Sequence, residues 1–283
     1  MADKLIIGCG YLGRRIAALW YAQHHRVFAT TRSAARAEEW RALGLQPILC
    51  NVLDPASLCS LPRVESIAYC VGLDQSAGES MHKVYVDGLA NVLAALPKPA
   101  PRFLYVSSTS VYGQTEGEEV DESATTEPQE ESGKVVLEAE GLLLAQLPSA
   151  VILRFAGIYG PGRLMRAQAL KAGEPIVGNA EKWLNLIHVE DGAAVVVAAD
   201  EQAAPGSIFN VSDGAPVLRR AFYTKLAEVL GSPQPRFVPL PAGAIAPPQE
   251  RGHRRIVSRR MREELGMTLR YPNYEAGLIA SID

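Results

Sequence analysis

The sequence predicts an α/β fold built on a parallel sheet covered on both faces. Three observations predict it. Short apolar runs alternate with helical-period segments through the first half of the chain, as parallel strands joined by crossover helices require. The first run, Lys4-Leu5-Ile6-Ile7, enters a glycine loop, Gly8-Cys9-Gly10-Tyr11-Leu12-Gly13, that opens into a helix. The 283 residues, 48% apolar and 21% charged, suffice for one such sheet and an appended lobe.

The Gly-x-Gly-x-x-Gly spacing between a strand and a helix is the fingerprint of a dinucleotide-binding turn, which makes the sheet doubly wound and of the Rossmann type. Gly8 permits the tight turn, Gly10 lets the backbone approach a pyrophosphate, and Gly13 lets the helix pack on the strand. The first helical N–H groups, among them those near Tyr11 and Leu12, then face the phosphates. Leu12, Ile16, Leu19 and Trp20 recur at helical spacing behind the loop.

The second strand, Arg26–Arg32, bears on the cofactor's phosphate state. NAD-binding turns place an acid at its end for the ribose 2′-hydroxyl. This chain has Thr30-Thr31-Arg32-Ser33 there. Arg32 suits a 2′-phosphate as a fork and can stack on adenine, while Thr31 and Ser33 add hydroxyl donors. NADP(H) is therefore predicted in preference to NAD(H), which the loop also admits.

A third strand falls at Leu45–Cys50 and a fourth at Ser66–Val71, ending at Gly72. Met81–Leu96 repeats apolar residues at Val84, Leu89, Val92 and Leu93 and is stopped by Pro97 and Pro99. The fifth strand, Phe103–Val106, delivers Ser107-Ser108-Thr109-Ser110-Val111-Tyr112-Gly113. Gln114–Gln129 is acidic and without apolar period, which predicts a surface loop or lid. Helix Ser132–Leu147 and strand Val151–Phe155 follow. A dinucleotide-binding domain is expected over 1–160. A smaller substrate-binding lobe is expected over 161–283, interleaved with late sheet strands at about 184–212.

The net charge of −3 leaves no electrostatic footprint for nucleic acid. The basic stretch Arg251–Arg262 reads as a solvated helix face, with contact to an anionic substrate as the alternative. Cys9, Cys50, Cys59 and Cys70 lack zinc or redox spacing and read as free thiols of a reducing compartment. His188 beside Glu190 and Asp191 has no second ligand spaced to join it, so no metal site is expected. The three read as a strand-end histidine followed by helix N-terminal acids. The chain enters a core strand at once and has no apolar run of roughly 18 residues, which predicts a cytoplasmic protein without membrane contact.

Taken together the motifs resemble the extended short-chain dehydrogenases, the nucleoside-diphosphate-sugar epimerase/dehydratase group. Besides the glycine loop, Ser107–Gly113 is similar to the family's serine-rich strand end, and Ile152–Gly162 (ILRFAGIYGPG) to its L-R-x-x-x-x-Y-G-P-G stretch. Leu184–Asp191, Ile208–Gly214 and Arg259–Gly266 are similar to later family segments in the right order. The resemblance implies cofactor contacts from Gly8, Gly10, Tyr11, Leu12, Gly13, Thr31, Arg32, Ser33, Leu53, Val71, Gly72, Ser107, Phe155 and Ile158. It also implies a homodimer formed by the helices at Met81–Leu96 and Ser132–Leu147, with Val84, Leu89, Val92, Val136, Leu137 and Leu144 at the seam.

Three departures accompany it. The first loop has the older glycine spacing, Tyr85 replaces an asparagine of an N-V-x-G stretch, and the catalytic Tyr-x-x-x-Lys is broken. Aligned on Lys134, which keeps the lysine's place beside the nicotinamide ribose, the tyrosine position is Glu130. A carboxyl group ionises near pH 4.3 against about 10 for a phenol, so at neutral pH it only accepts hydrogen bonds. By analogy Ser108, then Thr109, orients the substrate oxygen. Tyr112 either packs under the strand-end loop or lends a phenol from it to the substrate, and Arg163 either meets an anionic substrate or faces solvent. Arg154 is expected to hold a loop carbonyl, and Tyr159 to be structural.

Two functions are thus expected. The first is an NADP(H)-binding, epimerase/dehydratase-like oxidoreductase acting on a carbonyl or hydroxyl of a small molecule, a nucleotide sugar among the options. The second is a cofactor-binding sensor or scaffold without turnover, which the missing tyrosine favours.

Overall fold

The computed structural model describes residues 1–241, 243 and 252–282. The chain begins with β1 (Asp3–Ile7), α1 (Gly13–Ala22), β2 (Arg26–Thr31), α2 (Ala34–Ala42) and β3 (Gln46–Leu49). It continues with β4 (Ser66–Tyr69), α3 (Gly88–Ala95), β5 (Arg102–Ser108), β6 (Glu118–Val120), α4 (Glu131–Gln146) and β7 (Val151–Phe155). Next come β8 (Gly157–Tyr159), α5 (Ala167–Lys171), β9 (Ile176–Val177), β10 (Trp183–Leu184), β11 (Leu186–His188) and α6 (Val189–Gln202). The last elements are β12 (Ile208–Val211), β13 (Val217–Leu218), α7 (Arg219–Leu230), β14 (Phe237–Val238), β15 (Arg254–Ile256), α8 (Arg259–Glu264) and α9 (Tyr274–Ile279).

Seven strands form one parallel sheet in the order β12-β7-β5-β4-β1-β2-β3. The order reverses between β1 and β4, and at that switch point the strand ends splay into a ligand crevice. Every residue of β4 and β7 is buried, because helices cover both faces. On one face Ile16 and Trp20 of α1 and Val195 and Val196 of α6 pack over Ile6, Leu104 and Leu153. On the other, Leu89, Val92 and Leu143 from α3 and α4 pack over Leu5, Tyr69 and Tyr105. The chain returns at β12 to complete the main sheet beside β7. A separate core of Tyr159, Leu170, Ile176, Phe222, Leu226 and Leu278 gathers the later elements.

The fold class is the one the sequence predicts, but several segments differ. Gln114–Gln129 is not a free lid. It contains β6, which pairs in parallel with β15, and Val120 is only 1% exposed. Burying one valine contributes about 1.5–3 kcal/mol, and a single anchor of this kind leaves no period to read. Asn185 clasps the far side, donating to the Arg254 carbonyl (2.9 Å) and accepting from the Ile256 N–H (2.7 Å).

The basic stretch is part strand and part helix rather than one solvated helix face. Arg254 donates to the carbonyls of Gln114 and Thr109, and Arg255 to that of Gly117. Arg260 pairs with Glu264 along α8. Arg251 lies outside the described residues.

The predicted helix over Met81–Leu96 opens with a π-helical turn, Lys83–Asp87, before α3. Of the six residues assigned to a dimer seam, Val84, Leu89, Val92 and Val136 are buried within this chain, leaving Leu137 and Leu144 half-buried. Among the described residues no helix is long and apolar enough to cross a membrane.

Candidate functional site

A cleft of about 810 Å³ opens over the carboxyl ends of the strands at the β1/β4 switch point. Its floor is the glycine loop. Gly8 sits at φ +89°, and a Cβ there would lie 2.6 Å from the Cys70 carbonyl carbon and the Val71 nitrogen. Only glycine lets the β1 loop pass that close to the β4 loop. Gly10 has no heavy atom within 4 Å of where its Cβ would be, so its backbone is open to a ligand. Helix α1 starts at Gly13 with Leu12 as its N-cap, which turns first-turn N–H groups toward the loop. Gly13 itself faces the strand, where a Cβ would meet the Gly8 carbonyl oxygen at 2.7 Å. These features fit a dinucleotide's pyrophosphate.

The structure brings Gly8, Gly10, Tyr11, Leu12, Thr31, Arg32, Leu53, Val71, Gly72, Ser107, Ser108, Ile158 and Arg163 to the cleft wall. Tyr11 donates from its hydroxyl to the Pro161 carbonyl (3.0 Å), tying the glycine loop to the segment after β8. The guanidinium groups of Arg15 (4.4 Å) and Arg163 (5.3 Å) both lie within cation–π range of its ring. Cys9 and Cys70 also line the cleft, but burial pushes the Cys9 thiol up to about 12 and Cys70 higher. Neither thiol is a nucleophile at neutral pH.

Other expected residues lie elsewhere. Ser33 is the N-cap of α2, accepting from the Arg36 N–H (3.3 Å). Phe155 is buried behind the wall, in contact range of Gly192. Thr109 is outside the wall and starts a short helical turn, its carbonyl taken by Arg254. Of the two places open to Tyr112 the structure shows the packed one: it is 1% exposed, donates to Asn210 Oδ1 (2.8 Å) and accepts from Arg154 (3.0 Å). Its phenol is committed to the core, and burial raises it above the ordinary tyrosine range.

The largest correction concerns α4. Lys134 is exposed and Glu130 is the helix's N-cap residue; neither lines the cleft. The residues of α4 that do are Ser132 and Val136, one turn apart. Two contacts set this rotation. Gly133 packs so closely that a Cβ would lie 2.3 Å from the Ser110 carbonyl oxygen. Glu140, one turn beyond Val136, is buried and accepts from Arg154 (Nη2, 2.7 Å; Nε, 3.1 Å) and from the Ser107 hydroxyl (2.5 Å). Arg154 thus holds a carboxylate and a phenol instead of the loop carbonyl expected of it. With Glu140 fixed against the sheet, Val136 and Ser132 follow on the same stripe, and Lys134 is rotated half a turn away.

The helix therefore presents a hydroxyl and an isopropyl group where a phenol and an ammonium would be needed for proton relay. Ser107, Ser108, Ser110 and Ser132 make this end of the cleft polar without charge.

Arg36, Asn51, Asp74 and Tyr85 also line the wall, although no sequence motif marks them as site residues. Tyr85 lies in the π-helical turn, and its hydroxyl accepts from the Leu73 N–H (3.3 Å). Asp74 pairs with Arg32 (2.8 Å). The sequence held no signal that would have chosen the α4 pair: counting back four and eight from Glu140 gives Val136 and Ser132, but the same count from Glu138 gives Lys134 and Glu130.

His188 ends β11 and caps α6. Its Nδ1 accepts from the Glu190 N–H (3.3 Å) and Nε2 lies 3.3 Å from Ser281 Oγ. Asp191 accepts the N–H groups of Arg270 and Tyr271, both at 2.8 Å. Among the described residues no group of three or more His, Cys, Asp or Glu side chains could hold a metal ion.

Comparison with known proteins gives this geometry a lineage. Residues 5–212 match the NAD-dependent epimerase/dehydratase family. Over 244 residues the chain is 29% identical to protein YeeZ of Escherichia coli K12, covering 84% of this chain and 87% of YeeZ. A conserved protein of unknown function from Silicibacter pomeroyi superposes with a TM-score of 0.79 at 31% identity, over 98% of this chain and 97% of that one. The UDP-glucose 4-epimerase of Thermotoga maritima, solved with UDP-glucose, superposes with a TM-score of 0.82 over 99% of this chain and 97% of its own. At 18% identity that is a likeness of fold.

Proposed function

The chain belongs to the NAD-dependent epimerase/dehydratase family, and from that premise we propose an oxidoreductase that binds NADP(H) in preference to NAD(H) and acts on a carbonyl or hydroxyl compound. Nucleotide sugars are the substrate class to test first, since a neighbour of the same fold was solved with UDP-glucose. The observation that carries the reading is one continuous cleft. It joins the glycine loop, Arg32 at the ribose end and the serine cluster at the other end.

The residues of this chain divide the work. The loop N–H groups bind the pyrophosphate, and Arg32 takes the 2′-phosphate. Ser108 orients the substrate oxygen, while Arg163 meets an anionic group on the substrate. Ser107 is held in place by Glu140. The bound nicotinamide would supply hydride transfer. Val136 removes the positive charge that would lower a neighbouring hydroxyl's pKa, so any proton comes from a group other than an α4 pair.

That same side chain favours the second reading, a cofactor-binding sensor or scaffold that does not turn over. Titration of NADPH and NADH fluorescence, followed by NADPH oxidation against sugar nucleotides and simple carbonyls, separates the two. Binding with turnover supports the enzyme, and binding without it supports the sensor. Equal binding of both cofactors, unchanged in Arg32→Ala, refutes the NADP(H) preference. Homodimerisation rests on Leu137 and Leu144 alone, and a monomeric mass by light scattering removes it. A cytoplasmic location remains part of the proposal and is checked by fractionation.

A further inference from the structure

The NADP(H) reading leaves unexplained why a carboxylate sits against the arginine that would bind the 2′-phosphate. Resting on that reading, we propose that Asp74 is the ribose-discriminating acid of this cleft and Arg36 the second cation of its 2′-phosphate subsite. Asp74 accepts the 2′-hydroxyl of NAD(H), and it competes for Arg32 when NADP(H) binds.

Dinucleotide-binding turns normally take this acid from the end of the second strand. Here β2 ends in Thr31 and Arg32, and the acid comes from across the crevice, on the loop after β4. Asp74 Oδ2 lies 2.8 Å from Arg32 Nη2, and both residues line the cleft with Arg36. The carboxylate is fixed, because Oδ1 accepts from the Ser76 hydroxyl (2.6 Å) and N–H (3.1 Å). Those bonds and Arg32 hold its carboxyl below the usual range, so it is ionised at neutral pH. The Arg32 side chain is 54% exposed on a flexible stem, so the guanidinium is the partner able to move.

Arg36 stands in the first turn of α2, three residues after the Ser33 cap, and lines the same cleft. Two guanidinium groups against one carboxylate leave a surplus of one positive charge. That attracts a phosphate, but less than the two arginines alone would. Without the 2′-phosphate, the carboxylate offers the acceptor that a ribose 2′-hydroxyl needs. One subsite therefore admits both cofactors, with Asp74 limiting the preference that the two arginines create.

Calorimetric titration of the whole chain with 2′,5′-ADP and with 5′-ADP tests this, since the two ligands carry the two ribose states without nicotinamide. The wild type is expected to prefer 2′,5′-ADP. Asp74→Asn keeps the acceptor for Ser76 and is expected to raise that preference about tenfold, tightening 2′,5′-ADP and loosening 5′-ADP. Arg36→Gln is expected to lower it about tenfold without changing 5′-ADP. Thermal melts confirm that both exposed-site variants remain folded. A preference that is unchanged or reduced in Asp74→Asn, with a wild type that still prefers 2′,5′-ADP, overturns the role of Asp74. An Arg36→Gln preference equal to wild type removes Arg36 from the subsite. A wild type that binds 5′-ADP as tightly as 2′,5′-ADP, with Arg32→Gln altering neither, refutes the NADP(H) reading itself.

Discussion

Replacing Glu140 with glutamine removes a carboxylate on which two buried partners converge. Arg154 donates to it from Nη2 (2.7 Å) and Nε (3.1 Å), and the Ser107 hydroxyl donates at 2.5 Å. The two charged side chains are 3% and 6% exposed, so water cannot replace either partner. Glu140→Gln leaves the Arg154 guanidinium buried with the neutral Tyr112 hydroxyl as a remaining partner. Breaking a buried pair from one side costs about 3–5 kcal/mol, a large part of the 5–15 kcal/mol typical of a domain.

For 283 residues the unfolding entropy is on the order of 0.6 kcal/mol/K, so the melting temperature should fall by roughly 5–8 °C. Arg154→Met alone strands the carboxylate and should cost a similar amount. The double variant Glu140→Gln/Arg154→Met should recover much of the loss, because no unpaired charge is left. Ser107 also loses its anchor in the cleft wall, so NADPH affinity should weaken in Glu140→Gln. Calorimetric melts of the four proteins with a fluorescence titration of NADPH measure all of this. A Glu140→Gln melt within about 1 °C of wild type would falsify the claim that this pair holds α4 in register.

Gly8→Ala should destabilise the chain and abolish cofactor binding, since its Cβ would lie 2.6 Å from the β4 loop backbone at φ +89°; an unchanged melt and NADPH titration would refute the tight crossing. Ser132→Tyr/Val136→Lys should raise NADPH-dependent reduction of simple carbonyls, where a working proton relay is worth about 10²–10⁴-fold. Glu130→Tyr, outside the cleft, should do nothing, and a rate gain there would show that the α4 register is wrong. Asp213 supplies a pH test, because burial raises its carboxyl from 3.8 to about 7. The folded chain then holds a proton that the unfolded chain releases between about pH 4 and 7, so stability falls as pH rises through that window, by at most about 4 kcal/mol. Asp213→Asn should therefore melt higher than wild type at pH 8 and like it near pH 4; a variant no more stable at pH 8 counts against the buried acid.

The local signals carried the framework. A strand, three glycines at fixed offsets and a helix specify the phosphate-binding turn within a dozen residues. The alternation of apolar runs with helical periods specifies a parallel sheet, because each depends only on neighbours along the chain. The register of α4 is another matter. Glu130 and Lys134 are one turn apart, and so are Ser132 and Val136, so spacing alone cannot say which pair faces inward. That was decided by Arg154 on β7 drawing Glu140 against the sheet, and by Gly133 meeting the Ser110 carbonyl. The pairing of Asp74 with Arg32 was hidden for the same reason. Asp74 lies more than forty residues from Arg32 in sequence and reaches it only because β4 pairs with β1, which pairs with β2 on its other edge. Sequence determined which elements form, because propensity and turn chemistry are local. Tertiary structure determined which side chains share the cleft, because helix rotation and strand order are settled by contacts between residues far apart in the chain.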